Sequence, residues 1–164
     1  MIKNFLNKFG RKRNTFMLYA FCDGEIVELE DVRDEVFSSG MLGKGVAIEP
    51  RGNKIYAPTS GTVTNVFETQ HALNIVSDFG CEILIHIGID TVKLRGKFFN
   101  MHVKEGDSVN KGDILCTFDN EGIKSSGLKI TTPMVVCNTD NYSQILPRPS
   151  CKIKKGDSIL RIET

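Results

Sequence analysis

His71 and His86 are the residues of this chain whose type and setting point to chemistry. His86 stands in I-L-I-H-I-G-I-D-T-V (83–92), an imidazole among isoleucines, with Gly88 two places on and Asp90 two beyond that. His71 stands in F-E-T-Q-H-A-L-N-I (67–75), two places after Thr69 and just ahead of a strand starting near Ala72. Alternate side chains of a strand face opposite ways. Ile83, Ile85, Ile87 and Ile89 therefore share one face, and Glu82, Leu84, His86, Gly88 and Asp90 the other. The isoleucine face is the core, so His86 falls on the mixed face, which speaks against an ordinary core histidine. Gly88 leaves bare backbone beside the ring. Its carbonyl can accept a hydrogen bond from Nδ1–H and leave Nε2 as the free nucleophile. The Thr69 hydroxyl can orient His71 in the same way. Two histidines on facing strands suit phosphoryl transfer, one as nucleophile and one as stabilising donor. They equally suit two of the ligands of a zinc ion. His102, in N-M-H-V-K-E-G-D just before a turn, reads as an exposed loop residue.

The elements that must hold these residues are strands. From about Phe16 onward, short Val/Ile-rich runs are broken by Gly, Asp, Asn and Pro every several residues. The runs are GEIVELE (24–30), GVAIEP (45–50), NKIYAP (53–58), GTVTNVF (61–67), LNIVSD (73–78), ILIHIGI (83–89) and DILCTF (113–118). Short helices are expected only around Val32–Phe37 and Glu121–Ser125. Two internal echoes stand out. Y-A-F-C-D-G-E-I (19–26) recurs as Y-A-P-T-S-G-T-V (56–63), and V-K-E-G-D-S-V (103–109) as I-K-K-G-D-S-I (153–159), with K-G-D-I (111–114) between. Gly-Asp pairs are turn signals. The echoes predict duplicated hairpins closing into an all-β antiparallel sandwich or barrel.

Length and composition bound the rest. The 164 residues suit one domain with a substantial core. Lys+Arg (21) and Asp+Glu (20) nearly cancel, so no global field favours nucleic acid. The five cysteines are scattered without a C-x-x-C pair, against a disulfide framework or zinc finger and in favour of a reducing cytoplasm. No apolar run reaches the roughly 18 residues of a membrane span, and no secretory signal is present. The first segment, M-I-K-N-F-L-N-K-F-G-R-K-R-N, differs from the body. Ile2, Phe5, Leu6 and Phe9 form one helical stripe beside Lys3, Lys8, Arg11, Lys12 and Arg13. Such a segment suits an anionic lipid surface, or is a tail with a chance stripe. The expected organisation is an N-terminal segment over 1–15 and one domain over 16–164.

With these motifs in view, the chain resembles the glucose-type IIA component of the bacterial phosphoenolpyruvate-dependent sugar phosphotransferase system. The similarity covers nearly the whole body. It includes GEIVELEDVRDEVF (24–37), GVAIEPRGNKIYAP (45–58), FETQHALNI (67–75), ILIHIGIDTVKL (83–94), VKEGDSVNKGDILCTFD (103–119) and TTPMVVCN (131–138). The resemblance implies a compact antiparallel sandwich of the duplicated hybrid motif. It implies that His86 takes a phosphoryl group on Nε2 from phosphorylated HPr and passes it to a cysteine of a permease IIB domain, with Gly88 holding Nδ1. His71, supported by Thr69, would stabilise the phosphoryl oxygens. Asp34 and Asp90 match acidic rim residues, and Val36, Phe37, Leu42, Phe67, Leu84 and Val92 an apolar docking ring. No cofactor is implied and no metal is required, although the histidine pair can bind zinc at a partner interface. Regulated permeases or metabolic enzymes are further partners the family suggests. So is membrane contact through Met1–Asn14, for a cytoplasmic protein at the inner face. Lys44 departs from the pattern, standing where an acidic residue is frequent, and bears on partner preference.

Two other readings of the same motifs are weaker. A zinc peptidase of the related duplicated β-fold needs an H-x-H pair, and Gly88 occupies its second position. A lipoyl- or biotinyl-type carrier would need a lysine on an exposed M-K-M or D-K-A turn, which is missing.

Overall fold

A computed structural model describes residues 12–164, so the apolar stripe Ile2–Phe9 lies outside the described residues. Fourteen strands carry the fold: β1 (Thr15–Tyr19), β2 (Gly24–Val27), β3 (Lys44–Pro50), β4 (Lys54–Tyr56), β5 (Gly61–Val66), β6 (Ala72–Ser77) and β7 (Glu82–His86), then β8 (Phe99–Met101), β9 (Ser108–Val109), β10 (Ile114–Phe118), β11 (Thr132–Val136), β12 (Gln144–Pro147), β13 (Lys152–Ile153) and β14 (Ser158–Glu163). Among the described residues two short helices, α1 (Glu35–Ser38) and α2 (Asn120–Ser125), complete it with three 3₁₀ turns. The strands pair antiparallel, as expected from the hairpin spacing.

The sheet order reads the same from both ends. The eight-stranded sheet runs β13-β2-β3-β11-β7-β6-β5-β9, and the two three-stranded sheets run β1-β14-β12 and β4-β10-β8. One half is the continuous stretch β4–β10. The other is β11–β14 followed by β1–β3, joined where Thr164 N–H donates to the Asn14 carbonyl at 3.1 Å. Hydrogen bonds repeat across the halves. Gly112 N–H donates to the Ala57 carbonyl and Gly156 N–H to that of Ala20, each at 2.9 Å. Tyr19 N–H donates to Pro58, and Tyr56 N–H to Phe21, at 3.0 and 2.8 Å.

This pairing corrects one sequence equivalence. Val109 and Ile153 hold matching ladder positions, opposite Gly61 and Gly24. The partner of I-K-K-G-D-S-I (153–159) is thus the hairpin from Val109, which contains K-G-D-I, and not V-K-E-G-D-S-V (103–109). The latter looks alike because it folds into the same turn. Asp107, Asp113 and Asp157 each accept from the backbone N–H three residues earlier, at 3.0, 2.8 and 2.9 Å. Side-chain turn chemistry, not descent of the whole hairpin, explains the likeness.

Two apolar clusters result. The main core lies between the sheets and includes Ile83, Ile85 and Ile87 with Phe21, Leu73 and Leu115. The smaller one covers the outer face of the central sheet, where Ala47, Ala72, Leu84 and Val135 meet Leu29, Val32 and Phe37. Three expected boundaries shift. The run over 24–30 turns into a 3₁₀ helix at Leu29–Asp31 after β2 ends at Val27. The helix expected at Val32–Phe37 begins only at Glu35, because Asp34 is its N-cap and accepts from Val36 N–H at 2.9 Å. The strand expected over 83–89 ends at His86. Gly88 and Asp90 take positive φ (75° and 59°), so parity fails beyond Ile87 and Ile89 joins the smaller cluster.

Candidate functional site

Register brings the two histidines together. His86 ends β7, and His71 is not on a strand but stands just before β6, the neighbour of β7 in the same sheet. Ala72, first residue of β6, is opposite His86, last residue of β7. His71 precedes Ala72, and its carbonyl accepts from Ile87 N–H at 2.7 Å. The rings meet edge to face with centroids 4.7 Å apart and planes at 81°.

Each ring is oriented through Nδ1. His86 Nδ1–H donates to the Gly88 carbonyl at 2.7 Å, and His71 Nδ1 shares a hydrogen bond of 2.6 Å with Thr69 Oγ1. The first bond places the neutral-ring proton on Nδ1 and leaves the Nε2 lone pair available. Only glycine suits position 88. Its φ is positive, and a Cβ there would lie 2.5 Å from Thr91 Cγ2 and 2.8 Å from the Lys129 carbonyl. Burial lowers the pKa of His71 to about 4, and the neighbouring His86 pushes it the same way. Burial lowers His86 as well, against the opposing pull of the Gly88 carbonyl, Asp34 and Asp90. Both rings are thus neutral at neutral pH.

The surroundings are apolar. Phe37 meets His86 edge-on at 5.2 Å between centroids, and Phe67 meets His71 at 5.5 Å. Val36, Phe67 and Val92 are 43%, 38% and 50% exposed. Phe37 and Leu84, read from sequence as part of an apolar docking ring, are buried with Ala72 and Val135. Leu42 is half-buried against the same cluster. Asp34 is half-buried as the cap of α1, whereas Asp90 is exposed and 3.8 Å from Lys93 Nζ.

His102 is not brought to the pair; it is exposed, with Nε2 hydrogen-bonded to Thr117 at 2.6 Å. Lys44 is exposed at the start of β3, in a groove of about 520 Å³ lined also by Leu29, Ser39, Gly43 and Ile145. Among the described residues no group of three or more His, Cys, Asp or Glu converges to hold a metal. Nothing supports the peptidase reading. Among the same residues no helix is long and apolar enough to cross a membrane.

Residues 16–142 match the family model described as phosphoenolpyruvate-dependent sugar phosphotransferase system, EIIA 1. Over 139 residues the chain is 48% identical to a beta-glucoside-specific EIIBCA component of Bacillus subtilis, covering 85% of this chain and 23% of that protein. It therefore spans about a quarter of that relative's length. It is 42% identical over 155 residues to a glucose-specific EIIA component of Haemophilus influenzae, covering 93% of each. The solved structure of a glucose permease IIA from Mycoplasma capricolum superposes with a TM-score of 0.84 at 37% identity, covering 90% of this chain and 96% of that one.

Proposed function

This chain belongs to the EIIA 1 family of the phosphoenolpyruvate-dependent sugar phosphotransferase system, and from that premise we propose that it is a phosphocarrier acting through His86. Nε2 of His86 takes the phosphoryl group of phospho-HPr as the bond to the donor breaks, and later yields it to a cysteine of a permease IIB domain. No proton has to leave the acceptor first, because Nδ1–H is committed to the Gly88 carbonyl. His71, its other ring nitrogen tied to Thr69, donates toward the phosphoryl oxygens. Such a reaction asks the protein for in-line positioning and charge stabilisation and little else. The observation that carries the reading is the histidine pair, 4.7 Å between centroids, each ring held through Nδ1.

The surround fits a transient docking face. Val36, Phe67 and Val92 supply exposed apolar contact and exclude water that would hydrolyse a phosphohistidine. Asp34 and Asp90 suit basic residues on HPr, assisting encounter more than affinity. The names of the relatives point to glucose or β-glucosides as the sugars served. Residence in the cytoplasm, lipid contact through residues 1–14, zinc held between the histidines and a partner, and regulatory partners belong to the same reading.

Incubation with phosphoenolpyruvate, enzyme I and HPr is expected to place an acid-labile phosphoryl group on His86. The reading fails if His86→Ala accepts phosphate as the wild type does. His71→Ala is expected largely to keep acceptance, with onward transfer to IIB impaired. A panel of IIB domains then identifies the permease served.

A further inference from the structure

The peptide just before the carbonyl that holds His86 is itself held, by groups the phosphoryl-transfer reading does not use. Thr91 and Thr132 are polar side chains with no exposed surface. Their hydroxyls grip the two ends of one peptide unit. Thr91 Oγ1 donates to the Ile87 carbonyl, and Gly88 N–H donates to Thr132 Oγ1 at 3.3 Å. Thr132 Oγ1 donates in turn to the Ile130 carbonyl at 2.8 Å, so its proton is committed and its lone pairs face Gly88. The next peptide unit, whose oxygen receives the His86 proton, is fixed at its other end. Ile89 N–H donates to the Lys129 carbonyl at 2.9 Å. A left-handed glycine between two such peptides would otherwise turn easily.

We propose that Thr91 and Thr132 are positioning residues for phosphoryl acceptance, fixing the Ile87–Gly88 peptide from which Gly88 extends, so that the Gly88 carbonyl locks His86 in the Nδ1–H tautomer. The inference rests on His86 being the acceptor. Its logic is that of outer-sphere partners to a histidine ligand, where the group holding one ring nitrogen sets the tautomer and basicity of the other. The Ile89–Lys129 bond adds to this by polarising the following peptide, Gly88–Ile89, which strengthens the bond its oxygen accepts. Loss of a hydroxyl frees the peptide to rotate, lets the proton move to Nε2, and removes the nucleophilic lone pair.

Thr132→Val and Thr91→Val keep the side-chain shape and delete the hydroxyl, whereas Thr132→Ser and Thr91→Ser keep the hydroxyl. In protein labelled with ¹⁵N-histidine, the wild type at neutral pH is expected to show His86 as the Nδ1–H tautomer. Each valine variant is expected to show a populated Nε2–H form and phosphoryl acceptance slowed on the order of tenfold, as for a misplaced reacting group. Each serine variant is expected to regain both. Valine variants that fold with the wild-type tautomer and acceptance rate overturn the proposal. So do serine variants that behave like valine, since packing alone would then be responsible. If a valine variant fails to fold, hydroxyl-proton exchange in the wild type decides. Slow exchange at Thr91 and Thr132 supports the cradle, and exchange as fast as at a surface threonine overturns it. Failure of the phosphocarrier reading looks different, because it leaves His86→Ala competent whatever the threonines do.

Discussion

His71 and His86 are alike in type and separated in role by what touches Nδ1: a hydroxyl that can give or take a proton for His71, a carbonyl that only accepts for His86. Their depressed pKa values give a pH signature. In an unfolded chain His71 titrates near 6.5, and in the folded protein at about 4. Above pH 6.5 neither state holds the extra proton and the site contributes nothing. Between 6.5 and 4 the unfolded chain takes up a proton the folded chain refuses, so stability falls as pH drops through that window. The thermal midpoint of the wild type is expected to decline there more steeply than that of His71→Gln. His86 is lowered too, so phosphoryl acceptance is expected to be flat across neutral and mildly alkaline pH. A rate that climbs through that range would contradict a neutral acceptor.

At the scale of elements, the site depends on where β7 stops. The strand delivers its isoleucines to the core and His86 to the other face, then Gly88 reverses the chain so its carbonyl meets the ring. Gly88→Ala places a Cβ 2.5 Å from Thr91 Cγ2 in a left-handed backbone. It is expected to cost about 1–3 kcal/mol of stability in denaturant titration, with phosphoryl acceptance impaired. The short α1 carries Phe37 over His86, and Asp34 caps it. Asp34→Ala is therefore expected to cost about 1 kcal/mol from the lost cap, in addition to any slower encounter with HPr. Asp34→Asn keeps a capping oxygen and separates the two effects. Unchanged stability in Asp34→Ala would show that tertiary contacts alone hold α1.

At the scale of the whole fold, the described residues form a two-fold repeat, one unit continuous over β4–β10 and the other made of β11–β14 with β1–β3. Thr164 and Asn14 are joined by two hydrogen bonds of 3.1 Å, while the crossing between units passes through the exposed Ser125–Gly127. A permutant with Thr164 linked to Asn14 and new ends at Ser126–Gly127 is expected to fold with the same sheet order and keep phosphoryl acceptance. Its loss of the native amide spectrum would show that the connection through α2 is needed for folding.

Much of this was readable in the residues themselves, because period, turn chemistry and motif spacing are local. Alternating runs announced strands, Gly-Asp pairs announced turns, and H-I-G and T-Q-H carried both ring contacts within two residues. The family, too, was readable from those motifs. Other features needed tertiary structure because they join residues distant in sequence. Ladder register, not spacing, set His71 beside His86 in one sheet. The second apolar cluster buried Leu84 and Phe37, which were expected in an accessible ring. Parity could not foresee that β7 ends at His86, since positive φ at Gly88 and Asp90 belongs to the surroundings as much as to the residues. Thr132, forty-four places from Gly88, meets its N–H only because β11 lies beside β7. A chain's local code specifies which groups can bond; the packed sheet decides which do.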